Sequence, residues 1–173
     1  MLNKNLYLLG FMGSGKSFVG KQIAEKIGWK FCDLDELIES KAQCSIAEIF
    51  DDHGEEYFRI MEHECLKELL LTEQTVVALG GGTPCFHNNM ALLNKNGLTF
   101  FLDVPVDVLS DRLISETDKR PLLKGKTGTE LTSFIEKKLK QRMAYYRKAH
   151  YIVSDTDNTA NRILELRSFQ LRN

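Results

Sequence analysis

Long hydrophobic runs are missing from this sequence, and their absence excludes a transmembrane helix. A helix that spans a bilayer needs about 18 consecutive apolar residues, but the stretch between Leu69 and Leu79 is broken by the polar residues 72–75. The N-terminal residues lead directly into a predicted strand at Leu6, which leaves no room for the basic and apolar regions of a signal peptide. We therefore expect a cytoplasmic protein without a membrane partner.

Cysteine and histidine are also scarce, with four residues of each type. The cysteines, at positions 32, 44, 65 and 85, have neither C-x-x-C spacing nor a histidine arrangement typical of zinc. We therefore expect reduced, mostly buried thiols and histidines without a catalytic role.

The chain has almost no net charge, at −1, so it has no broad basic surface for nucleic acid. Its composition, 43% hydrophobic and 27% charged, is that of an ordinary globular protein. A chain of 173 residues fits one domain. We expect residues 1–173 to form a single domain that contains the whole site and, because no amphipathic stripe is left over, to be a monomer.

Short apolar runs predict strands at residues 6–9, 30–34, 76–79, 98–102 and 151–153. Helical patterns separate these runs, and such alternation is typical of an α/β fold with a parallel sheet covered by helices on both faces. Ser45 and Glu48 match a capping box, which predicts a short helix ending near Gly54 and a longer helix through Leu71. Further helices are predicted at residues 106–114, 130–149 and 160–171.

Residues 10–17 read Gly-Phe-Met-Gly-Ser-Gly-Lys-Ser, a complete G-x-x-x-x-G-K-S/T phosphate-binding motif. An apolar run precedes the motif and a helical pattern follows it, so a glycine-rich turn that binds nothing is disfavoured. Backbone N–H groups of the loop converge on a polyphosphate at the helix N-terminus, where the charge of Lys16 adds to them. Ser17 is then placed to ligate Mg²⁺. The predicted ATP-binding residues here are Gly13, Ser14, Gly15, Lys16 and Ser17.

Two acidic residues, Asp33 and Asp35, follow the second predicted strand. Ligands of an open parallel sheet bind beyond the carboxyl ends of its strands, so both acids should face the nucleotide. Asp33 is suited to hold Mg²⁺ through water, and Asp35 to meet an acceptor hydroxyl. The alternative is that one acid only caps the helix predicted at residues 36–41.

Further candidate residues are less distinctive by themselves. Arg59 and Glu62 are three residues apart, a spacing that usually indicates a surface ion pair. The third strand runs into three glycines at residues 80–82, which lets a small polar ligand approach the backbone. Arg142 and Tyr146 lie one helical turn apart, although an ordinary basic helix face would look the same.

Residues 115–129 are polar and basic, and in a phosphate-binding protein they predict a mobile lid. A solvated loop is the alternative. Arg120 lies in this segment and Arg112 lies on the helix before it, and both are candidates to contact phosphate.

Taken together, these motifs resemble the shikimate kinase family. The matching segments are residues 10–17, 33–35, 58–62, 80–82 and 120–123, with an R-x-x-x-Y-x-x-A pattern at residues 142–149. The resemblance implies transfer of the ATP γ-phosphoryl group to the 3-hydroxyl of shikimate, in aromatic amino-acid biosynthesis. It also implies a P-loop three-layer sandwich with a five-stranded parallel sheet, of the nucleoside-monophosphate-kinase type.

The resemblance further assigns roles to residues of this chain. Shikimate would be bound by helices at about residues 34–62 and by Asp35, Arg59, Gly80, Gly81, Gly82 and Arg142. Lys16 and Arg120 would contact the phosphate, Ser17 and Asp33 would belong to the Mg²⁺ shell, and Glu62 would orient Arg59. The chemistry agrees, because two arginines can grip a carboxylate while Asp35 orients and deprotonates the attacking hydroxyl.

The sequence departs from the family pattern at two places. Ala78 and Leu79 stand where the family usually has Ser or Thr, so a hydroxyl that can hold a Mg²⁺-bound water is missing. Thr83 and Pro84 follow the glycines in place of a small and an aliphatic residue, which affects the edge of the acceptor pocket. Two other functions stay open at this point: a related kinase, such as a gluconate kinase, and a catalytically silent regulatory protein.

Overall fold

The computed structural model describes residues 4–115, 123, 125–154 and 158–172. Within them the strands are β1 (Asn5–Leu9), β2 (Lys30–Asp33), β3 (Thr75–Ala78), β4 (Gly97–Asp103) and β5 (Tyr151–Ser154). The helices are α1 (Lys16–Ile27), α2 (Leu34–Ala42), α3 (Ile46–Leu70), α4 (Asn89–Asn96), α5 (Val106–Leu113), α6 (Gly128–Tyr146) and α7 (Thr159–Arg172), with one 3-10 turn at Thr83–Cys85.

The strands form one parallel sheet in the order β2-β3-β1-β4-β5. Strand β1 lies in the centre, where Leu8 pairs with Ala78 of β3 on one side and Phe100 of β4 on the other. All carboxyl ends therefore meet at one edge, and the loop after β1 lies in the middle of that edge. The predicted five-stranded parallel sheet is confirmed.

Alternation along β1 divides the core between the two faces of the sheet. Tyr7 and Leu9 belong to the cluster under α2, α3 and α6, whereas Leu6 and Leu8 pack against α1 and α7. All four side chains are fully buried, as expected for a strand covered on both faces. The molecule is therefore the predicted three-layer sandwich.

The capping box is present, because Ser45 accepts a hydrogen bond from the backbone N–H of Glu48 and its own N–H donates to the Glu48 carboxylate. Helix α3 is interrupted at Gly54, with φ 80° and ψ 176°. This confirms a short helix followed by a long one.

Other predicted boundaries need correction. Helix α2 begins at Leu34, two residues early, because Asp33 caps it. Helix α6 begins at Gly128 and ends at Tyr146, so it takes the last two residues of the segment predicted as a lid. Residues 116–122 and 124 lie outside the described residues, and the lid stays a prediction.

The single tryptophan lies far from the carboxyl edge, on the face covered by α1 and α7. Trp29 comes directly before β2 and packs against the cluster that contains Ile163. The Arg167 guanidinium lies over its ring, 4.5 Å from the centroid. Trp29 therefore joins the start of β2 to the C-terminal helix.

All four cysteines are free thiols, but Cys65 alone is buried and the other three are half-buried, so the expectation of mostly buried thiols was wrong in part.

Of the helices in the described ranges, none has the length and apolar character required to cross a membrane.

Candidate active site

A cavity of about 810 Å³ lies at the carboxyl edge of the sheet. The predicted site residues that line it are Gly13, Gly15, Lys16, Ser17, Asp33, Asp35, Arg59, Gly80, Gly81, Gly82, Arg112 and Arg142. Ser14 is buried within the loop, and Arg120 lies outside the described residues. The topology therefore brings motifs that are far apart in the sequence to one cavity.

The loop between β1 and α1 has the conformation that the phosphate-binding motif predicts. Gly15 caps α1 with left-handed backbone angles, φ 84° and ψ 12°, which glycine adopts with little strain. The Lys16 ammonium donates to the carbonyls of Gly10, at 3.1 Å, and Phe11, at 2.9 Å. Arg112 donates to the Gly13 carbonyl at 3.2 Å. Two cations therefore lie on the loop at the positive end of a helix dipole.

The Asp33 carboxylate caps α2 and also lines the cavity, where it contacts Ser17. One carboxylate oxygen accepts from the backbone N–H of Asp35 at 3.0 Å and caps α2. The other accepts from the Ser17 hydroxyl at 2.5 Å. Capping thus does not remove Asp33 from the cavity, and it leaves a hydroxyl and a carboxylate oxygen together beside the phosphate loop.

Arg59 and Glu62 form a buried ion pair, so the surface interpretation of their spacing was wrong. Arg59 is 5% exposed and Glu62 0%, and Nη1 of Arg59 donates to Oε2 of Glu62 at 2.8 Å. Burial disfavours the charged form of the guanidinium, but Glu62 and Glu55 outweigh it and raise the pKa of Arg59 above its ordinary value. Arg59 therefore stays cationic inside the protein.

Arg142 is also buried, at 8% exposed. Within the described part of the chain, its Nη1 atom has no hydrogen-bond partner, although buried polar atoms nearly always have one. The Phe11 ring lies 5.4 Å from its guanidinium carbon. One turn later, the hydroxyl of Tyr146 donates to the Gly81 carbonyl at 2.5 Å, and burial raises the pKa of Tyr146 far above its ordinary value. Helix α6 is therefore tied to the glycine segment.

The glycine segment allows these side chains to come close to the backbone. A Cβ on Gly82 would lie 2.6 Å from Nη2 of Arg59, and one on Gly81 would lie 3.1 Å from Nη1 of Arg142. A Cβ on Gly80 would lie 2.9 Å from Oδ1 of Asp35. The two guanidinium groups and the carboxylate therefore surround one short stretch of backbone.

Three contacts of the Arg59–Glu62 pair were not predicted. Glu55 accepts hydrogen bonds from Nε and Nη2 of Arg59 at 3.2 and 3.0 Å, and its i,i+4 spacing was an available signal. Phe86 lies 4.4 Å from the guanidinium carbon, and Thr83 donates to Glu62 at 2.5 Å. No local pattern predicts these contacts of Phe86 and Thr83, because the fold alone brings the segment after the glycines against α3.

Known proteins match this chain over nearly its whole length. The family model for shikimate kinase matches residues 12–168. A shikimate kinase of Parabacteroides distasonis is 42% identical over 146 residues, which are 84% of this chain and 84% of that protein. One of Sulfurihydrogenibium sp. is 42% identical over 162 residues, 94% of each chain.

Solved structures agree with the sequence relatives. The 1.7 Å crystal structure of shikimate kinase from Bacteroides thetaiotaomicron matches with a TM-score of 0.88 and 35% identity over 99% of each chain. The structure of shikimate kinase from Acinetobacter baumannii in complex with shikimate gives a TM-score of 0.85 and 35% identity, over 97% of this chain and 92% of that chain. The likeness confirms the predicted fold of the nucleoside-monophosphate-kinase type. By its sequence and its fold, this chain belongs to the shikimate kinase family.

Proposed function

We propose that this chain transfers the γ-phosphoryl group of ATP to the 3-hydroxyl of shikimate, in aromatic amino-acid biosynthesis, and that the cavity at the carboxyl edge holds both substrates. The unpartnered Nη1 atom of Arg142 carries the assignment of the acceptor site, because Arg142 lines the cavity and its buried cationic N–H group lacks a partner that an anionic ligand would supply. The carboxylate of shikimate is such a partner.

Arg59 and Arg142 bind the shikimate carboxylate from two sides. Both guanidinium groups are buried beside the glycine segment, where charge-assisted hydrogen bonds are stronger than in water. Glu55 is half exposed, with 52% of its side chain accessible. Its carboxylate can therefore move into solvent, and an incoming carboxylate can then accept hydrogen bonds from Nε and Nη2 of Arg59. When the two arginines bind the carboxylate, the hydroxyls on the shikimate ring point toward the phosphate loop.

Asp35 accepts a hydrogen bond from the attacking hydroxyl. The hydroxyl oxygen forms a bond to the γ-phosphorus while the bond from that phosphorus to the bridging oxygen of ADP breaks, and the hydroxyl proton passes to the Asp35 carboxylate. Phosphoryl transfer depends mainly on alignment and charge stabilisation. Lys16 therefore turns from the loop carbonyls to the transferring phosphate, and Arg120 of the lid, at about residues 115–129, adds a second cation.

Ser17 and Asp33 fit a Mg²⁺ ion. Their oxygens are hard ligands side by side at the phosphate loop, and among the described residues no group of three or more His, Cys, Asp or Glu side chains could hold a metal. Mg²⁺ is usually bound by one or two protein oxygens together with phosphates and water, so this sparse set is suitable. The ion supplies charge neutralisation for the phosphates. Since Ala78 and Leu79 carry no hydroxyl, we propose that Ser17 and Asp33 are the residues of the protein that hold the ion.

The remaining proposals concern the surroundings of the protein. We propose one domain acting as a monomer in the cytoplasm, where the four free thiols stay reduced. The net charge of −1 supports small-molecule partners in place of nucleic acid, and we propose no membrane partner.

The test is ADP release by the purified chain with ATP and Mg²⁺, measured with shikimate, with gluconate and with neither. We expect release that depends on shikimate, and a phosphate monoester at its 3-position in the ³¹P and ¹H NMR spectra. ADP release with gluconate alone would show that the acceptor is gluconate and not shikimate. ATP binding without ADP release on either compound would favour a silent regulatory protein. Asp35→Asn is the matched control, because it should bind ATP and release no ADP.

A further inference from the structure

The carboxylate of Glu62 is completely buried and depends on two donors. Its exposed fraction is 0%. Oε2 accepts from Nη1 of Arg59 at 2.8 Å, and Oε1 accepts from Oγ1 of Thr83 at 2.5 Å. A buried carboxylate oxygen that loses its donor keeps the full cost of leaving water. The hydroxyl of Thr83 is therefore needed to hold the charge of Glu62 beside Arg59.

Thr83 is itself held rigidly. It is 0% exposed, its N–H donates to the Gly80 carbonyl at 3.1 Å, and its carbonyl accepts from Nδ2 of Asn89 at 2.9 Å. Oδ1 of Asn89 lies 2.6 Å from Nδ1 of His63 on α3. An ionised carboxylate accepts hydrogen bonds and cannot donate them, so the hydroxyl hydrogen of Thr83 points to Glu62.

The hydroxyl acts behind the glycine segment and not within the cavity. A Cβ on Gly80 would lie 2.8 Å from Oε1 of Glu62 and 2.9 Å from Oγ1 of Thr83, so both atoms lie against that backbone. Among the described residues, Glu62 and Gly80 line the cavity and Thr83 does not. The hydrogen bond of the Thr83 hydroxyl goes to Glu62, so the hydroxyl affects the substrate through Glu62.

We propose that Thr83 is a positioning residue for recognition of the acceptor carboxylate. Its hydroxyl fixes Oε1 of Glu62, the other oxygen of Glu62 fixes Nη1 of Arg59, and Arg59 presents its remaining N–H groups to the carboxylate. This inference rests on the proposed function. Thr83, the residue after the three glycines, departs from the family pattern. In this proposal it contributes to the selection of an acceptor that carries a carboxylate.

The experiment compares Thr83→Val, which replaces the hydroxyl with a methyl group of similar size, with Thr83→Ser, which keeps the hydroxyl. For Thr83→Val we expect the KM for shikimate to rise about tenfold, since a hydrogen bond to a buried charged group is lost. The KM for ATP should change less than about twofold, because the hydrogen bonds of Thr83 among the described residues go to Gly80, Glu62 and Asn89 and not to the phosphate loop. Thr83→Ser should return the KM for shikimate to within about threefold of the unmodified chain.

A second substrate separates positioning from general loss of structure. With an analogue whose carboxylate is replaced by a hydroxymethyl group, Thr83→Val and the unmodified chain should have similar KM values, because the charge that Arg59 recognises is absent. If Thr83→Val does not fold, Thr83→Ala lacks the same hydroxyl with less bulk and takes its place.

Three results would overturn the inference: an unchanged KM for shikimate in a folded variant without the hydroxyl, an equal rise in the KM for ATP, or an equal penalty with the analogue. Failure of the unmodified chain to turn over shikimate would instead overturn the proposed function on which the inference rests.

Discussion

A methyl group at position 82 is predicted to weaken shikimate binding without affecting the nucleotide site. Gly82 has ordinary right-handed backbone angles, φ −95° and ψ −21°, so alanine fits the backbone. The added Cβ would lie 2.6 Å from Nη2 and 2.7 Å from Nη1 of Arg59. To move from 2.6 Å to the 3.4 Å at which ordinary contact begins, the guanidinium must shift by about 0.8 Å.

The guanidinium cannot make this shift freely. It is bonded to Glu62 at 2.8 Å and lies over the Phe86 ring at 4.4 Å. A shift of this size breaks or bends the buried bond to Glu62, and hydrogen bonds to charged groups contribute about 1.5–3 kcal/mol. For Gly82→Ala we therefore expect the KM for shikimate to rise between about tenfold and about a hundredfold.

The assay is steady-state turnover at saturating ATP with shikimate varied, and then the reverse. Gly28→Ala is the matched control. Gly28 caps α1 with φ 67°, and a Cβ there would meet no atom of the described residues within 4 Å. It should therefore lower the melting temperature through backbone strain while leaving both KM values unchanged. An unchanged KM for shikimate in folded Gly82→Ala would refute the reasoning, as would an equal rise in the KM for ATP.

Further substitutions test the two halves of the site. Arg142→Ala should weaken shikimate binding by about a hundredfold or more, since it removes one side of a buried charged contact, while ATP binding measured by calorimetry stays the same. Asp35→Asn should lower kcat by about a hundredfold or more with ATP binding retained; equal loss of both functions would contradict separate sites. Lys16→Met should remove most of the phosphoryl transfer with any acceptor, and a kcat near that of the unmodified chain would exclude its role. Burial raises the pKa of Tyr7 and Tyr146 in the folded protein above the ordinary value of 10.0, at which tyrosine ionises in the unfolded chain. As the pH rises above about 10, the unfolded chain therefore loses protons before the folded protein does, and the free energy of unfolding should fall. Melting temperatures between about pH 9 and about pH 11.5 should show this fall, and Tyr146→Phe should make it shallower; an equal slope in that variant would contradict the assignment.

Local signals in the sequence account for most of the fold. The phosphate-loop glycines, the capping box at Ser45 and the alternation of apolar runs each depend on residues close together in the chain. The structure has the elements where these signals predict them. Helices α2 and α6 each begin two residues before the predicted start, and for α2 the reason is that the Asp33 side chain caps the helix before the apolar pattern begins.

The candidate site was less predictable, because its contacts join distant segments. The spacing of Arg59 and Glu62 is the same for an exposed pair and a buried one, and only the packing of α3 against the segment after β3 decides between them. The hydrogen bond from Thr83 to Glu62 joins residues 21 positions apart. No periodicity or short motif encodes such a contact, whereas the three glycines did indicate that side chains approach the backbone there.

The place of Trp29 has a practical consequence for optical measurements on this enzyme. Its ring lies under Arg167 on the face of the sheet covered by α1 and α7, while both substrates are proposed to bind at the carboxyl edge. Intrinsic tryptophan fluorescence should therefore follow the detachment of the C-terminal helix during denaturation and stay nearly constant during titration with shikimate. We therefore expect Trp29 to report on unfolding independently of substrate binding.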